Sequence, residues 1–155
     1  MEPQRARLVA AVKEAAAAAE SETGLLEAAV NLIDGFSGGY NWTGVYMMRG
    51  EHLEVGPYVG PTTEHTRLEL DRGICGAAAT QKRTITVDDV RADPRFLACS
   101  LSTQSEIVVP LMAGDECLGE IDIDRPAFFA AGDRIMLEAI AELIVARLRQ
   151  LRQLS

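Results

Sequence analysis

The chain has 155 residues, of which 48% are hydrophobic and 25% are charged, and its net charge at pH 7 is −8. This composition is typical of one soluble globular domain. The acidic balance argues against nucleic acid or an anionic membrane as a partner, because both bind basic surfaces. No apolar run approaches the length of a transmembrane helix, and no basic start leads into an apolar segment. We therefore expect a cytoplasmic protein.

Three cysteines are present, Cys75, Cys99 and Cys117. An odd number of cysteines in a chain without a secretion signal argues against a structural disulfide framework. There is no Cys-x-x-Cys pair, and His52 and His65 do not fall in a zinc-type spacing. We therefore expect no structural metal site.

Helices are predicted at both ends of the chain. Residues 4–20 carry a stripe of apolar side chains and alanines, and residues 21–36 form a second helix with Ser21 as its cap. Asp133 is predicted to cap a long final helix. These amphipathic helices can pack on their own sheet or on a second copy of the chain, which would make a homodimer.

Between these helices the pattern changes to short strands. Residues 42–48 and 53–58 are predicted to form a hairpin, followed by strands at 66–70 and 84–87 and a short helix at 75–82. Residues 88–104 show no periodicity, and a loop of that length in a compact domain is often functional. The order of elements predicts α/β layers around a mainly antiparallel sheet.

The most informative stretch is a second hairpin that follows Cys99. Its last strand alternates strictly, so that Glu120, Asp122 and Asp124 share one face while the intervening isoleucines occupy the other. Two interpretations of the acidic face are open. It is either the solvated side of an antiparallel sheet or the wall of an acidic pocket beside a reactive cysteine.

Glu106 lies on the first strand of this hairpin, and the face to which its side chain points depends on the strand register. A two-residue Gly114-Asp115 turn pairs Glu106 with Ile123 and points it away from Asp122. A three-residue loop, or one bulge, pairs Glu106 with Asp124 and places Glu106, Asp122 and Asp124 on one face. The pattern of residues leaves both registers open.

Several segments resemble GAF domains and, among them, the free methionine-(R)-sulfoxide reductases. The resemblance covers residues 22–148 in order. It is carried by Asn41-Trp42-Thr43-Gly44-Val45-Tyr46, Gly56-Pro57-Tyr58, Arg72-Gly73-Ile74-Cys75-Gly76, Leu97-Ala98-Cys99, Ser105-Glu106-Ile107-Val108-Val109-Pro110 and Gly119 to Asp124.

This resemblance implies a single GAF domain over residues 1–155. Its expected fold is a six-stranded antiparallel sheet with the terminal helices on one face and a small-molecule pocket on the other. The resemblance assigns roles as follows: Cys99 as the catalytic cysteine, Cys75 as a second pocket cysteine, Glu106, Asp122 and Asp124 as pocket carboxylates, and Trp42 and Tyr46 as the aromatic wall. It therefore favours the register that brings the three acids together.

The implied reaction is the reduction of free methionine sulfoxide. A thiolate attacks the electrophilic sulfur of a sulfoxide, and a protonated carboxyl supplies the proton that the oxygen needs. The enzyme is left with a sulfenic acid, which a second thiol converts to a disulfide. No bound cofactor is implied, and the external reductant is thioredoxin or a similar dithiol.

The chain departs from the family pattern at His65, where another cysteine is common. That cysteine is the resolving one in many members of the family, so we expect Cys75 to resolve Cys99 here. Two further functions remain open. One is a GAF module that binds a small molecule without turnover, and the other is a thiol redox sensor that acts through Cys75 and Cys99.

Overall fold

The computed structural model describes residues 1–37, 39–96 and 103–154. Over these residues the elements follow in this order: α1 (Pro3–Ala18), α2 (Glu22–Ser37), β1 (Trp42–Arg49), β2 (His52–Val59), β3 (Arg67–Glu69), α3 (Gly73–Gln81), β4 (Ile85–Val87), a 3-10 turn (Val90–Ala92), β5 (Ser105–Ala113), β6 (Glu116–Arg125) and α4 (Ala131–Leu154). The predicted order of helices and strands is confirmed. The 3-10 turn lies within the stretch that was predicted to be a loop throughout.

The six strands form one sheet in the order β3-β2-β1-β6-β5-β4, and every neighbouring pair is antiparallel. The hairpin between β1 and β2 closes through Gly50 and Glu51, with Arg49 paired to His52. Gly50 has a φ of 67°, a backbone conformation that glycine adopts without steric cost. The antiparallel sheet predicted from the element order is therefore confirmed.

The helices α1, α2 and α4 cover one face of the sheet, and α3 covers the other. The strands alternate accordingly. Their buried residues facing the three long helices are Val45, Met47, Ile107, Val109, Leu111, Ile121 and Ile123. A packed apolar layer therefore lies on one side of β1, β5 and β6. Their other side, which faces α3, can carry the polar side chains of a site.

Side-chain caps explain where two of the helices begin. The N–H of Gly24 donates to the Ser21 hydroxyl at 3.0 Å, which confirms the predicted cap of α2. Asp133 instead caps α4 from inside the helix, which begins at Ala131. Its carboxylate accepts from the Ala130 N–H at 2.8 Å and from Arg5 at 2.9 Å, which ties α1 to the start of α4.

The β5–β6 hairpin contains one bulge. Gly114 and Asp115 form the two-residue turn, but the pairing shifts so that Leu111 faces Gly119 while Met112 faces Cys117. Leu118 is thus the extra residue. Beyond it Glu106 pairs with Asp124, so the bulged register is confirmed and the unbulged one is wrong.

No helix in the described ranges combines the length and the apolar character needed to cross a bilayer. The terminal helices bury apolar faces against the sheet of their own chain. Packing on a second copy of the chain stays a prediction.

Candidate active site

The acidic face of β6 is buried. Glu120 and Asp124 are 0% exposed and Asp122 is 2% exposed, while Glu106 on the neighbouring strand is 5% exposed. The solvated-face interpretation is therefore wrong. The bulge places Glu106 opposite Asp124, so four carboxyl groups converge under α3 on the side of the sheet away from the long helices.

Cys75 is held over these acids by α3. The helix begins at Gly73, whose φ of 73° suits glycine. A Cβ on Gly76 would lie 2.8 Å from the carbonyl oxygen of Leu70, so a glycine lets α3 approach the backbone after β3. The Cys75 thiol donates to Asp122 Oδ2 at 3.3 Å, and the charge of Glu120 also acts on it.

An aromatic stack borders the acids on β1 and β2. The rings of Trp42 and Tyr46 lie 5.9 Å apart, and those of Trp42 and Tyr58 lie 5.0 Å apart, both nearly parallel. A Cβ on Gly44 would fall 2.4 Å from the Trp42 ring. Because Gly44 has no Cβ, the Trp42 indole can lie across β1, the strand that carries both residues.

A small cavity opens between α3 and the sheet. Its volume among the described residues is about 10 Å³, which is room for about one water molecule. It is lined by Tyr46, His65, Leu68, Gly73, Ile74, Cys75, Glu106 and Asp122. His65 is half-buried, and its carbonyl accepts from the Tyr46 hydroxyl at 2.9 Å.

Comparison with known proteins assigns the chain to a protein family. Residues 7–148 match the family described as GAF domain. The chain belongs to the GAF domain family. The pocket that its β6 acids and α3 enclose is thus a pocket of a GAF domain.

Curated relatives of this GAF domain are named free methionine-R-sulfoxide reductase. The protein from Escherichia coli is 33% identical over 88 residues, which is 57% of this chain and 53% of the relative. The protein from Saccharomyces cerevisiae is 38% identical over 110 residues, which is 67% of this chain and 61% of the relative. The matched region therefore spans little more than half the length of these relatives.

A solved structure extends the similarity over the whole chain. It is the free methionine-R-sulfoxide reductase from Neisseria meningitidis in complex with its substrate, with a TM-score of 0.92 and 28% identity. The superposition covers 100% of this chain and 96% of that one.

Burial dominates the electrostatics of the GAF pocket. It raises the pKa of Asp124 to about 8, with the Asp122 charge as the second cause, and it raises the pKa of Glu120 well above its usual range. The pKa of the Cys75 thiol is also raised well above its usual value, first by burial and then by the charges of Asp122, Glu120 and Glu106. Near neutral pH the pocket thus holds protons that it can donate.

The structure brings most of the predicted site residues together. One face of the sheet and the helix above it carry Trp42, Tyr46, Cys75, Glu106, Asp122 and Asp124. Cys99, the predicted nucleophile, lies outside the described residues. Cys117 is half-buried in β6, and its thiol donates to the Gly119 carbonyl at 3.2 Å.

Two residues of the pocket were missed as site residues. Glu120 is fully buried beside Cys75, and its alternation with Asp122 had already placed it on the acidic face. Tyr58 stacks on Trp42 from the neighbouring strand, and only the pairing of β1 with β2 brings it there. Its signal in the sequence was its place in the Gly56-Pro57-Tyr58 segment.

Proposed function

We propose that this GAF domain reduces free methionine-(R)-sulfoxide to methionine, with Cys99 as the nucleophile. The observation that carries the proposal is the buried pocket in which the Cys75 thiol lies 3.3 Å from Asp122 among four carboxyl groups. Support also comes from the similarity to a reductase solved with its substrate. A phosphate-bearing ligand fits such a pocket poorly, because carboxylates repel it.

In the proposed reaction the Cys99 thiolate attacks the sulfoxide sulfur. This attack forms a sulfur–sulfur bond, and a protonated carboxyl of the pocket gives its proton to the sulfoxide oxygen. The protonated oxygen then passes to the Cys99 sulfur as the sulfoxide S–O bond and the sulfur–sulfur bond break, which leaves methionine and a Cys99 sulfenic acid. The sulfoxide sulfur gains two electrons and the cysteine sulfur loses two. The raised pKa of Asp124 supports a protonated carboxyl at neutral pH. An ionised neighbour would hold the ammonium group of the free amino acid.

Cys75 is proposed to resolve the sulfenic acid. Its sulfur bonds to that of Cys99, and the hydroxyl leaves as water with the thiol proton. Thioredoxin or a similar dithiol then reduces the disulfide. Support comes from the placement of Cys75 in the cavity wall, whereas Cys117 lies outside that wall, on a different groove.

Turnover of racemic free methionine sulfoxide with dithiothreitol tests the reaction. We expect methionine from only half of the racemate, no methionine with Cys99→Ser, and full activity with the matched control Cys117→Ser. A rate equal to that without enzyme would contradict the reductase hypothesis and would favour a module that binds a ligand without turnover. Activity that survives in Cys99→Ser would make Cys75 the nucleophile.

The resolving step needs a separate experiment. Substrate is added without reductant, and the protein is digested and analysed by mass spectrometry for a Cys75–Cys99 linkage. With Cys75→Ser we expect methionine from the first turnover but slow recycling by thioredoxin. A wild-type digest without that linkage would contradict the role of Cys75. The linkage after peroxide, without sulfoxide turnover, would instead identify a thiol redox sensor.

A further inference from the structure

The cavity wall presents a thiol and two carboxylates that can share one cation. The Cys75 sulfur and one oxygen each from Glu106 and Asp122 all lie within 4.8 Å of one another. Cys75 Sγ and Asp122 Oδ2 are 3.3 Å apart. Tetrahedral zinc with ordinary Zn–S and Zn–O bonds holds sulfur and oxygen about 3.6 Å apart. The Cys75–Asp122 pair is therefore already close to the separation that a shared zinc ion requires, and an oxygen of Glu106 lies within 4.8 Å of both ligands.

A second observation concerns oxygen atoms that the fold leaves unsatisfied around this thiol. Asp122 Oδ1 and both carboxyl oxygens of Glu120 are buried without a hydrogen-bond partner. The two side chains are 2% and 0% exposed. The charges that act on the Cys75 thiol come from Asp122, Glu120 and Glu106, all of them acidic. Buried acceptors of this kind are costly unless a cation or a proton satisfies them.

We propose that Cys75, Glu106 and Asp122 form a binding site for Zn²⁺, with Glu120 beside it as a further oxygen donor. On binding, the sulfur–hydrogen bond of Cys75 is replaced by a sulfur–zinc bond, and the proton passes to the buffer. The thiolate makes the site selective for a thiophilic ion over Mg²⁺, which prefers oxygen ligands and keeps its water. Spacing along the chain could not reveal this site, because its ligands come from α3, β5 and β6.

Zinc at this position would block the proposed reduction. The three ligands line the cavity, so the ion occupies the space that the substrate needs and removes the Cys75 thiol from the resolving step. This consequence rests on the proposed function, whereas zinc binding itself does not. Zinc is thus a reversible inhibitor of this GAF domain.

Binding is measured on the reduced full chain, stripped with EDTA, by titration of Zn²⁺ against a chromogenic chelator. We expect one ion per chain and at least about a 100-fold weaker affinity with Cys75→Ser or Asp122→Asn. Cys117→Ser, the matched control, should bind as the wild type does. Should Asp122→Asn fail to fold, as judged by its thermal melt, Glu106→Gln takes its place.

Two further readouts identify the ligands. Cd²⁺ should produce the ultraviolet charge-transfer band of a thiolate–cadmium bond, and this band should be absent from Cys75→Ser. Excess Mg²⁺ should leave zinc binding unchanged. No zinc binding, equal binding by Cys75→Ser, or displacement by Mg²⁺ would each overturn the inference. A loss of affinity in Cys99→Ser with none in Cys75→Ser would do the same.

Inhibition is measured in a single turnover without added thiol, since thiol reductants bind zinc. One equivalent of Zn²⁺ should abolish methionine formation, and EDTA should restore it. If the wild type forms no methionine at all, the proposed function fails while the titration still decides the zinc site. Methionine formed at the normal rate by zinc-loaded protein would refute the inhibitory role.

Discussion

Replacing Gly44 by alanine should damage both the stability of the fold and the pocket. The new Cβ would lie 2.4 Å from Trp42 Cη2 and 2.6 Å from the Cβ of Tyr58. Ordinary contacts between carbon atoms are about 3.5–4.0 Å, so both side chains must shift by about 1 Å. Trp42 is 0% exposed and stacks on two tyrosines, which leaves it no open space to move into. Overpacking of this kind costs about 1–3 kcal/mol.

Urea unfolding followed by fluorescence measures the effect. Trp42 is the single tryptophan of the chain, so its emission reports directly on the displaced ring. We expect a lower midpoint with an unchanged slope, an altered emission spectrum of the folded state, and weaker turnover of sulfoxide. The expected loss of turnover follows because the displaced indole forms one wall of the proposed site.

Gly35→Ala provides the matched control. Gly35 is exposed in α2, and a Cβ there meets nothing within 4 Å. An alanine in a helix interior is favoured over glycine, so this variant should be more stable by up to about 1 kcal/mol. If Gly44→Ala unfolds at the wild-type midpoint with unchanged tryptophan emission, the steric argument for Gly44 is refuted.

Two further predictions concern charged groups. The folded-state pKa of Asp124, about 8, is raised above its ordinary 3.8, so its contribution to stability is present at low pH and is lost as pH rises towards 8. In EDTA, urea unfolding should show a stability that declines between pH 5 and 8, with Asp124 contributing up to about 1.4 kcal/mol per pH unit, and Asp124→Asn should make the decline shallower; an equal slope in both proteins would contradict the assignment. Asp133→Ala removes both a cap and the Arg5 ion pair, which should cost about 2–4 kcal/mol in the same assay. Arg134→Ala, which breaks only an exposed pair, should cost less than about 0.5 kcal/mol, and equal losses in the two variants would show that burial does not matter here.

The local elements could be predicted because their signals are local. Ser21 caps α2 through a hydrogen bond three residues away, and Gly50 turns a hairpin that needs a positive φ. The alternation of Glu120, Asp122 and Asp124 with isoleucines assigns them to one strand face whatever else the chain does. Each of these features depends only on neighbours in the sequence.

The site was predicted in part, and its gaps have physical causes. Glu120 was seen on the acidic face but was given no role, because the resemblance assigned roles only to Glu106, Asp122 and Asp124 among the acids. His65 was given no place in the site, since nothing in the sequence shows that Tyr46 on β1 donates to its carbonyl. The roles of Cys99, Cys75 and the carboxylates stay predictions.

By itself, the sequence determined the order of helices and strands, the cap of α2, and which β6 residues share a face. Only the tertiary structure decided that this face is buried, that a bulge at Leu118 pairs Glu106 with Asp124, and that α3 lays Cys75 over Asp122. The physical reason is the distance along the chain over which the interactions act. Side-chain periodicity follows from backbone geometry within one strand, whereas register and burial depend on how whole layers pack. Because of that packing, the acids of β6 line a buried pocket with shifted pKa values and do not form a solvated surface.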